Sequence, residues 1–212
     1  MTKRLLVLFV LFCALIGAGN RVVNRGSAPP PSYIFNLDFE GTGTPSGWSS
    51  GAGINYDYSA DPLEGSDSLR ITGPSTYAYA SVSNTELWGK MKVRVGALGA
   101  NNVIMTLINS GFTTRMQIAV LAGGALYVTG GGASAQTTDT MSGNTEYFVW
   151  WHFDGADVIS VEFSTTDSRV GSGNKFASTT GTNDTITTIF LYCDASTTVD
   201  FDNVLIDDAD IP

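Results

Sequence analysis

Histidine and cysteine are scarce in this 212-residue chain, which contains one histidine, His152, and two cysteines, Cys13 and Cys193. Nucleophilic triads need a catalytic histidine, so they are excluded unless His152 is exposed. If the segment that contains Cys13 is removed, Cys193 has no partner for an intramolecular disulfide. Its place in the apolar run IFLYC predicts a small buried side chain. The fold must therefore rest on its hydrophobic core.

Basic residues are also in the minority, with 11 Lys and Arg against 20 Asp and Glu and a net charge of -9. This acidic balance disfavours nucleic acid and anionic membrane surfaces as partners. Only 15% of the residues are charged, glycine is abundant and no long helical periodicity appears, so the composition predicts an all-β protein. At this length we expect one β domain with a sizeable core.

The start of the chain carries a targeting pattern. Lys3 and Arg4 precede an apolar run at 5–16 and small residues at 17–19, and this order predicts a signal peptide over residues 1–19. The apolar run is shorter than the roughly 20 residues that span a bilayer, so we expect no membrane insertion after cleavage. The pattern predicts a secreted protein, either extracellular or periplasmic.

A linker is expected after the signal peptide. Residues 20–32 have no apolar period and end in three prolines, which favours an extended spacer. The folded domain is therefore predicted at 33–212.

Strand-like runs separated by turn residues fill this domain. The runs are 33–39, 68–73, 77–83, 87–98, 102–110, 115–122, 125–130, the two arms of a hairpin at 146–164, 185–193 and 197–207. About ten short strands at this spacing predict an all-β fold in which two antiparallel sheets form a β-sandwich or jelly roll.

The segment at 146–164 is typical of a β-hairpin whose two faces differ. Asp154 and Gly155 interrupt two runs rich in β-branched and aromatic residues, and the common even loop lengths place Phe153 opposite Val158. In this register the predicted core face carries Phe148, Trp150, His152, Ile159, Val161 and Phe163. The predicted outer face carries Tyr147, Trp151, Ser160, Glu162 and Ser164. The outer face mixes aromatic and polar groups, so it is a candidate ligand platform.

In the order of its motifs the chain resembles the concanavalin A-like lectin and glucanase superfamily, in its laminin-G-like jelly-roll branch. The resemblance covers about residues 33–208 and rests on NLDFEG followed by GW, EGSDSLRI, LWGKMKVRV, RMQIAVLAGGALYVTGG, the EYFVWWHFDG hairpin and a closing DFDNVLIDD. The implied fold is a concanavalin A-like jelly roll. The alternative is a galactose-binding-like jelly roll of the carbohydrate-binding modules, which also opens with FE and GW and closes with an aspartate-rich strand.

The catalytic motifs of that superfamily are absent from the sequence. Its glucanases place acids on one strand face in the pattern E-x-D-x-E, whereas Glu162 is the only carboxylate on its predicted strand. Its alginate lyases use a Q-[IV]-H strand, and the nearest match is Gln117, Ile118 and Ala119, with alanine in place of histidine. His152 lies on the predicted core face, where a packed, hydrogen-bonded role is expected. We therefore predict no catalytic residues.

Acidic residues cluster in the first and last predicted strands of the domain. Calcium is held by several oxygen ligands, and in the jelly rolls named above these two strands pair. The resemblance implies Glu40 and Asp202 as ligands of a structural calcium ion, completed by backbone carbonyls. The alternative is that these acids only solvate sheet edges and discourage edge-to-edge pairing.

Aromatic side chains on an outer strand face suit sugar binding, because a ring stacks on the C–H side of a pyranose while nearby polar groups bond its hydroxyls. The candidates are Trp151, Tyr147 and Glu162 on the hairpin, and Tyr77 and Tyr79, which share a strand face. We predict a secreted, non-catalytic carbohydrate-binding or adhesion module whose partner is a glycan or cell-surface polysaccharide. The alternatives are a polysaccharide lyase or glycoside hydrolase of the same superfamily, and a structural or surface domain used for protein contacts.

Overall fold

A computed structural model describes residues 33–41 and 43–211, and the predicted signal peptide at 1–19 and linker at 20–32 lie outside these residues. The described residues form fifteen β-strands. In chain order they are β1 (Phe35–Leu37), β2 (Trp48–Ser50), β3 (Ile54–Tyr58), β4 (Ser68–Thr72), β5 (Thr76–Asn84), β6 (Leu87–Val95), β7 (Asn102–Ile108), β8 (Thr114–Val120), β9 (Ala125–Gly130), β10 (Ala133–Thr140), β11 (Glu146–Phe153), β12 (Val158–Ser164), β13 (Phe176–Thr180), β14 (Ile186–Cys193) and β15 (Thr198–Asp207). No helix in this part of the chain is long and apolar enough to cross a membrane.

These strands form two antiparallel sheets whose inner faces share one core. The eight-stranded sheet has the order β13-β12-β11-β6-β15-β4-β3, and β1 follows β4 along the same edge of β15. The seven-stranded sheet has the order β10-β9-β8-β7-β14-β5-β2. The predicted antiparallel β-sandwich of jelly-roll type is therefore confirmed.

The core is built by the period-two alternation of the strands, which sends every second side chain inward. Along β5 the inward residues are Ala78 and Ala80, and Trp48 of β2 lies opposite Ala80. The indole of Trp48 packs edge-on against Phe35, with ring centroids 5.5 Å apart. Trp48 is buried, and so is Cys193, as the sequence predicted for the cysteine.

The hairpin of β11 and β12 has a register one residue away from the predicted one. Phe153 pairs with Ile159, not with Val158, because the five residues 154–158 lie between the paired positions. A shift of one residue in register exchanges the two faces of one strand relative to the other. Ile159, Val161 and Phe163 of β12 face the core as predicted, so the exchanged faces are those of β11. The core face of β11 carries Tyr147, Val149, Trp151 and Phe153, and its outer face carries Phe148, Trp150 and His152.

Two local features explain why Trp151 points inward. A Cβ atom at Gly89, which pairs with Trp151 across β6 and β11, would overlap the indole ring, so the glycine supplies the space that the ring fills. In the loop, Asp154 accepts a hydrogen bond from the Ala156 backbone at 2.9 Å, and its own N–H donates to the Val158 carbonyl at 2.8 Å. Trp151 is 3% exposed, so its predicted accessible position is wrong.

Glu162 is also buried, but on the outer face of the eight-stranded sheet, beneath the segment that joins β12 to β13. Its carboxylate is 2% exposed and accepts hydrogen bonds from Arg169 Nε at 2.7 Å and from the backbone N–H groups of Val170 and Gly171 at 2.7 and 2.5 Å. Trp150 lies opposite Glu162 and is buried with it. Glu162 is therefore not the exposed polar group that the sequence predicted.

The first and last strands of the domain pair antiparallel, as predicted, with Leu37 opposite Val204. A β-bulge interrupts β15 just before this pairing, and Asn203 in the bulge has a left-handed φ of 46°. Bulges bend a strand and redirect the side chains beside them. Here Asp202 is placed in the same recess as Glu40.

Candidate functional site

Four aromatic side chains form a continuous cluster on the outer face of the seven-stranded sheet. Tyr77 and Tyr79 of β5 lie opposite Tyr192 and Phe190 of β14, respectively. The rings of Tyr77 and Tyr192 are 10° from parallel with centroids 5.6 Å apart, and the Tyr79 and Phe190 centroids are 5.7 Å apart. A T-shaped contact of 5.2 Å between Tyr77 and Phe190 joins the two pairs. Together these four residues are the aromatic platform.

The alternation of β5 and β14 places these rings outside. The residues between them, such as Ala78 on β5 and Leu191 on β14, are in the core. Tyr77 and Tyr79 are each 37% exposed, although large aromatic side chains are mostly buried in soluble proteins. The platform therefore keeps a contiguous apolar surface in contact with solvent.

A row of cross-strand neighbours extends the platform over all seven strands of its sheet. From β2 to β10 the row is Ser49, Tyr79, Phe190, Thr106, Gln117, Thr129 and Ser134. Six gaps of roughly 4.8 Å make this row about 29 Å long. Its second and third members, Tyr79 and Phe190, are aromatic, and the remainder carries hydroxyl and amide groups.

Phe112 stands beside this row at the tip of the hairpin between β7 and β8. It is 85% exposed and has a left-handed φ of 56°. The side-chain oxygen of Asn109 supports the tip by accepting hydrogen bonds from the backbone N–H groups of Gly111 and Thr113 at 3.0 and 2.9 Å. An open recess of about 310 Å³, the platform recess, lies between Phe112 and Phe190 and continues to Thr106, Gln117, Tyr192 and Asp194.

Charge near the platform recess is mostly paired. Arg115 Nη2 lies 2.6 Å from Asp184 Oδ2, and Asn109 Nδ2 donates to the same oxygen at 2.8 Å. Hydrogen bonds from Asn109 and the Thr185 backbone hold the pKa of Asp184 below its usual value. Among the residues that line the recess, Asp194 is the charged one. The recess therefore presents rings, hydroxyls, an amide and a carboxylate.

The structure separates the five ligand-binding residues predicted from the sequence into two groups. Tyr77 and Tyr79 lie on the platform, whereas Tyr147, Trp151 and Glu162 are buried in or behind the eight-stranded sheet. The Tyr147 hydroxyl accepts a hydrogen bond from the Ser142 backbone at 2.9 Å. The hairpin therefore does not offer these three side chains as one exposed face.

Phe190 and Tyr192 are the platform residues that sequence reasoning missed. The run IFLYC alternates, so the prediction that Cys193 is buried also places Phe190 and Tyr192 together on the opposite face. That alternation was the available signal.

His152, predicted on the core face, lies on the outer face of the eight-stranded sheet. Its ring stacks on Trp88 with centroids 3.5 Å apart, and its Nε2 lies 3.0 Å from Glu86 Oε1. The Trp88 indole N–H donates to the same Glu86 oxygen at 3.1 Å. The histidine is thus packed and hydrogen-bonded, and it is remote from the platform on the opposite sheet.

A second recess, the acidic recess, lies beside the bulge of β15. It has a volume of about 250 Å³ and is lined by Asp38, Glu40, Glu64, Gly65, Asp202 and Asn203. Asp202 is 1% exposed, and its Oδ1 accepts the Asn203 N–H at 2.8 Å, whereas its Oδ2 has no hydrogen-bond partner among the described residues. Burial raises the pKa of Asp202 to about 7, and the nearby carboxylates of Glu40 and Glu64 add to the rise.

The charged groups around Asp202 do not neutralise it. Lys92, its cross-strand partner on β6, reaches instead to the Leu63 carbonyl at 2.6 Å and to Glu146 at 3.0 Å. Glu40 accepts hydrogen bonds from the backbone N–H and hydroxyl of Ser66 at 2.9 and 2.8 Å, and these bonds lower the pKa of Glu40. Over residues 33–41 and 43–211, no three acidic, histidine or cysteine side chains are grouped as metal ligands.

No protein-family model and no curated protein matches the sequence, but solved structures share its fold. The receptor-binding domain of botulinum neurotoxin C/D mosaic serotype matches with a TM-score of 0.59 and 8% identity, over 85% of this chain and 49% of that one. The ligand-binding domain of botulinum neurotoxin serotype D, in complex with N-acetylneuraminic acid, matches with a TM-score of 0.58 and 9% identity, over 85% and 48%.

A sialidase also matches, with a TM-score of 0.55 and 14% identity, over 77% of this chain and 17% of the sialidase. This chain therefore spans less than half the length of the neurotoxin domains and a small part of the sialidase. At these identities the likeness shows a common β-sandwich fold and does not extend to activity.

Proposed function

We propose that this chain is a non-catalytic carbohydrate-binding or adhesion module that binds a glycan on the outer face of the seven-stranded sheet. The observation that carries the proposal is the aromatic platform, where four contacting rings keep an exposed surface beside a recess with hydroxyl and amide groups. Aromatic faces stack on the C–H surfaces of sugar rings, and the polar groups bond the sugar hydroxyls.

The proposed ligand is a chain of several sugars. The row from Ser49 to Ser134 crosses the whole sheet, and at about 29 Å it is much longer than one sugar ring. In this proposal one sugar stacks on Tyr79 and Phe190, and its neighbours bond Thr106 and Gln117. Affinity should therefore increase with oligosaccharide length.

The fold and the motifs are compatible with this proposal. A structural neighbour was solved in complex with N-acetylneuraminic acid, and another is a sialidase. We infer that the chain belongs to the concanavalin A-like superfamily, because the jelly-roll sandwich agrees with the motif order in its sequence. The glycan partner itself is inferred from the platform and not from these likenesses.

A lyase or hydrolase is the second reading of the same face. Cleavage of a glycan needs proton-transfer groups on either side of the scissile bond. The row across the sheet carries hydroxyl and amide groups, and Ala119 stands where a histidine completes the related lyase motif. This chemistry favours binding over cleavage, and an assay for reducing sugars and unsaturated products tests the choice.

The test of the binding proposal uses Tyr79→Ala and Phe190→Ala, with Trp88→Ala as the matched control on the opposite sheet. Affinity for soluble polysaccharides and hexasaccharides is measured by calorimetry, and the melting temperature is measured in parallel. We expect each platform variant to lose about tenfold or more in affinity, which corresponds to roughly 1.4 kcal/mol, and the control to bind like the wild type.

Equal affinity in all four proteins would overturn the proposed site. Another outcome is that the wild type binds no glycan but associates with a protein, and that the platform substitutions weaken this association. That outcome would show that the chain is a protein-contact domain.

We also propose that the acidic recess holds a structural calcium ion. Asp202 Oδ2 is buried and has no hydrogen-bond partner among residues 33–41 and 43–211, and a cation beside it would offset both its burial and its repulsion from Glu40. Asp202 and Glu40 would be the ligands, together with backbone carbonyls, since calcium accepts a mixed set of oxygen ligands. Calcium here would stabilise the fold without taking part in glycan chemistry.

Secretion is proposed from the sequence of residues 1–19. N-terminal sequencing of the exported protein tests it, and a mature protein that still begins at Met1 would contradict it.

A further inference from the structure

The charges around the platform constrain the chemistry of the glycan. We infer that the glycan bound there is uncharged, such as a neutral hexose or pentose polymer, and that glycans carrying uronate or sialate groups are rejected. This inference rests on the proposed function and adds a substrate class to it.

The described cations are segregated away from the platform. Six of the seven described lysine and arginine residues belong to the eight-stranded sheet or to segments attached to it: Arg70, Lys90, Lys92, Arg94, Arg169 and Lys175. All of these except Lys175 are in salt bridges, for example Arg94 with Asp200 at 2.8 Å. In the described part of the chain, Arg115 is therefore the cation of the seven-stranded sheet.

Arg115 does not provide a free charge for a ligand. Its guanidinium is 2.6 Å from Asp184, and its side chain is 22% exposed. Asn109 donates to the same carboxylate, which fixes Asp184 against the end of β8. The carboxylate of Asp184 offsets the charge of this arginine, so a carboxylated sugar would meet no net positive charge there.

The charge that does face the platform recess is negative. Asp194 is exposed at the end of β14, and its backbone N–H donates to Asn102 Oδ1 at 2.8 Å, which holds the residue in place. An anionic sugar stacked on Tyr192 would lie near this carboxylate, and no lysine or arginine lines the recess in the described part of the chain. Like charges across an interface cost affinity and slow association, and the net charge of -9 acts in the same direction.

Neutral sugars meet no such penalty. Their C–H faces fit the four rings, and the half-buried amide of Gln117 can donate to and accept from uncharged hydroxyls. The Thr106 hydroxyl lies at the floor of the same recess, and the Thr129 hydroxyl, which donates to the Ala133 carbonyl at 2.9 Å, can still accept. N-acetylneuraminic acid, the sugar in one structural neighbour, is itself a carboxylic acid. The inference therefore predicts that this chain does not bind it despite the common fold.

The test compares size-matched neutral and acidic probes on the full chain. The neutral set contains hexasaccharides of β-1,4-glucan, β-1,3-glucan, mannan and xylan, and the acidic set contains hexasaccharides of alginate and polygalacturonate, with sialyllactose added. Affinity is measured at low and physiological salt. We expect at least one neutral probe to bind with little salt dependence and every acidic probe to bind about tenfold more weakly or not at all.

A variant with an added positive charge tests whether charge causes the discrimination between neutral and acidic glycans. Gln117→Lys places a cation at a half-buried position of the row that lines the platform recess, and we expect it to improve the affinity for acidic probes several-fold at low salt. Val158→Lys adds the same charge at an exposed position on the eight-stranded sheet and is the matched control. The control should leave the preference for neutral probes unchanged.

The outcomes separate the two proposals. If acidic probes bind more tightly than neutral ones, and Tyr79→Ala abolishes that binding, the inference of a neutral glycan is wrong while the proposed function stands. If no probe of either class binds, or if Tyr79→Ala has no effect on the binding seen, the proposed function is wrong and the inference fails with it.

Discussion

Replacing Asp202 by asparagine removes a buried charge while it keeps the shape of the side chain. In the absence of calcium, the raised pKa of about 7 means that the folded protein holds a proton over a range in which the unfolded chain, with the ordinary value of 3.8, does not. The free energy of unfolding of the wild type therefore falls as the pH rises from about 4 through 7. Asparagine has no charge to gain, so Asp202→Asn should not show this loss.

The magnitude follows from the pKa difference. The interval from 3.8 to about 7 is about three pKa units, or on the order of 4 kcal/mol once the group is fully ionised. About two of these units fall between pH 5 and pH 8, which is roughly 3 kcal/mol. For a domain of this size that corresponds to roughly 5 to 10 °C in melting temperature. Asp38, Glu40, Glu64 and Lys92 surround the site in both proteins, so their own titration largely cancels in the comparison.

The assay is thermal unfolding of the full chain at pH 5 to 8, once with a chelator and once with calcium. In chelator, the melting temperature of Asp202→Asn minus that of the wild type should grow with pH. With calcium, the wild type should become more stable if the proposed site holds the ion, because the site exists only in the folded state, and the variant should respond little. Asp139→Asn on β10 is the matched control and should follow the wild type.

Parallel pH profiles of the two proteins in chelator would refute the argument about the buried carboxylate. If the pH effect is present but the melting temperature of the wild type does not change with calcium, only the proposed calcium site is refuted.

Three further predictions concern packing and the platform. Trp151→Ala should lower the free energy of unfolding by about 3 to 5 kcal/mol in urea titrations, because its indole is enclosed in the core, whereas Trp88→Ala should cost much less; similar losses would contradict the observed register. Glu162→Ala should destabilise by about 3 kcal/mol by the same measurement, since Arg169 and two backbone N–H groups lose their acceptor, and a neutral result would mean that solvent replaces it. Phe112→Ala should weaken glycan binding about threefold to tenfold in calorimetry with an unchanged melting temperature, and unchanged affinity would remove this ring from the site.

The sequence predicted the inner strands of both sheets and missed the outermost ones. The unpredicted strands are β2, β3, β10 and β13, and each lies at an edge of its sheet. An edge strand pairs on one side only and is often polar, so it lacks a strong apolar alternation. The β10 sequence ASAQTTDT shows this, since Thr137 is its one buried residue. The strands that form the core could be predicted because burial of one face requires an alternation of apolar and polar residues.

The register of the β11–β12 hairpin could not be predicted from its own sequence. Its existence and its two strands followed from composition, but its register depended on a loop of odd length and on Gly89, which lies on a different strand. Such contacts between distant segments are not contained in the periodicity of the hairpin itself. Periodicity within β5 was enough to predict that Tyr77 and Tyr79 share a face. Their contact with Phe190 and Tyr192 could not be predicted in this way, because it depends on the pairing of β14 with β5.

The strand order has a consequence for how the domain is made. β14 lies between β7 and β5, and β15 lies between β6 and β4, so a late strand completes the interior of each sheet. Until these strands emerge during synthesis, both sheets are divided and have open edges that invite aggregation. Contacts between such distant segments favour slow folding in one cooperative step. A nascent chain that stops short of β14 would therefore lack half of the aromatic platform, because two of the four rings belong to that strand.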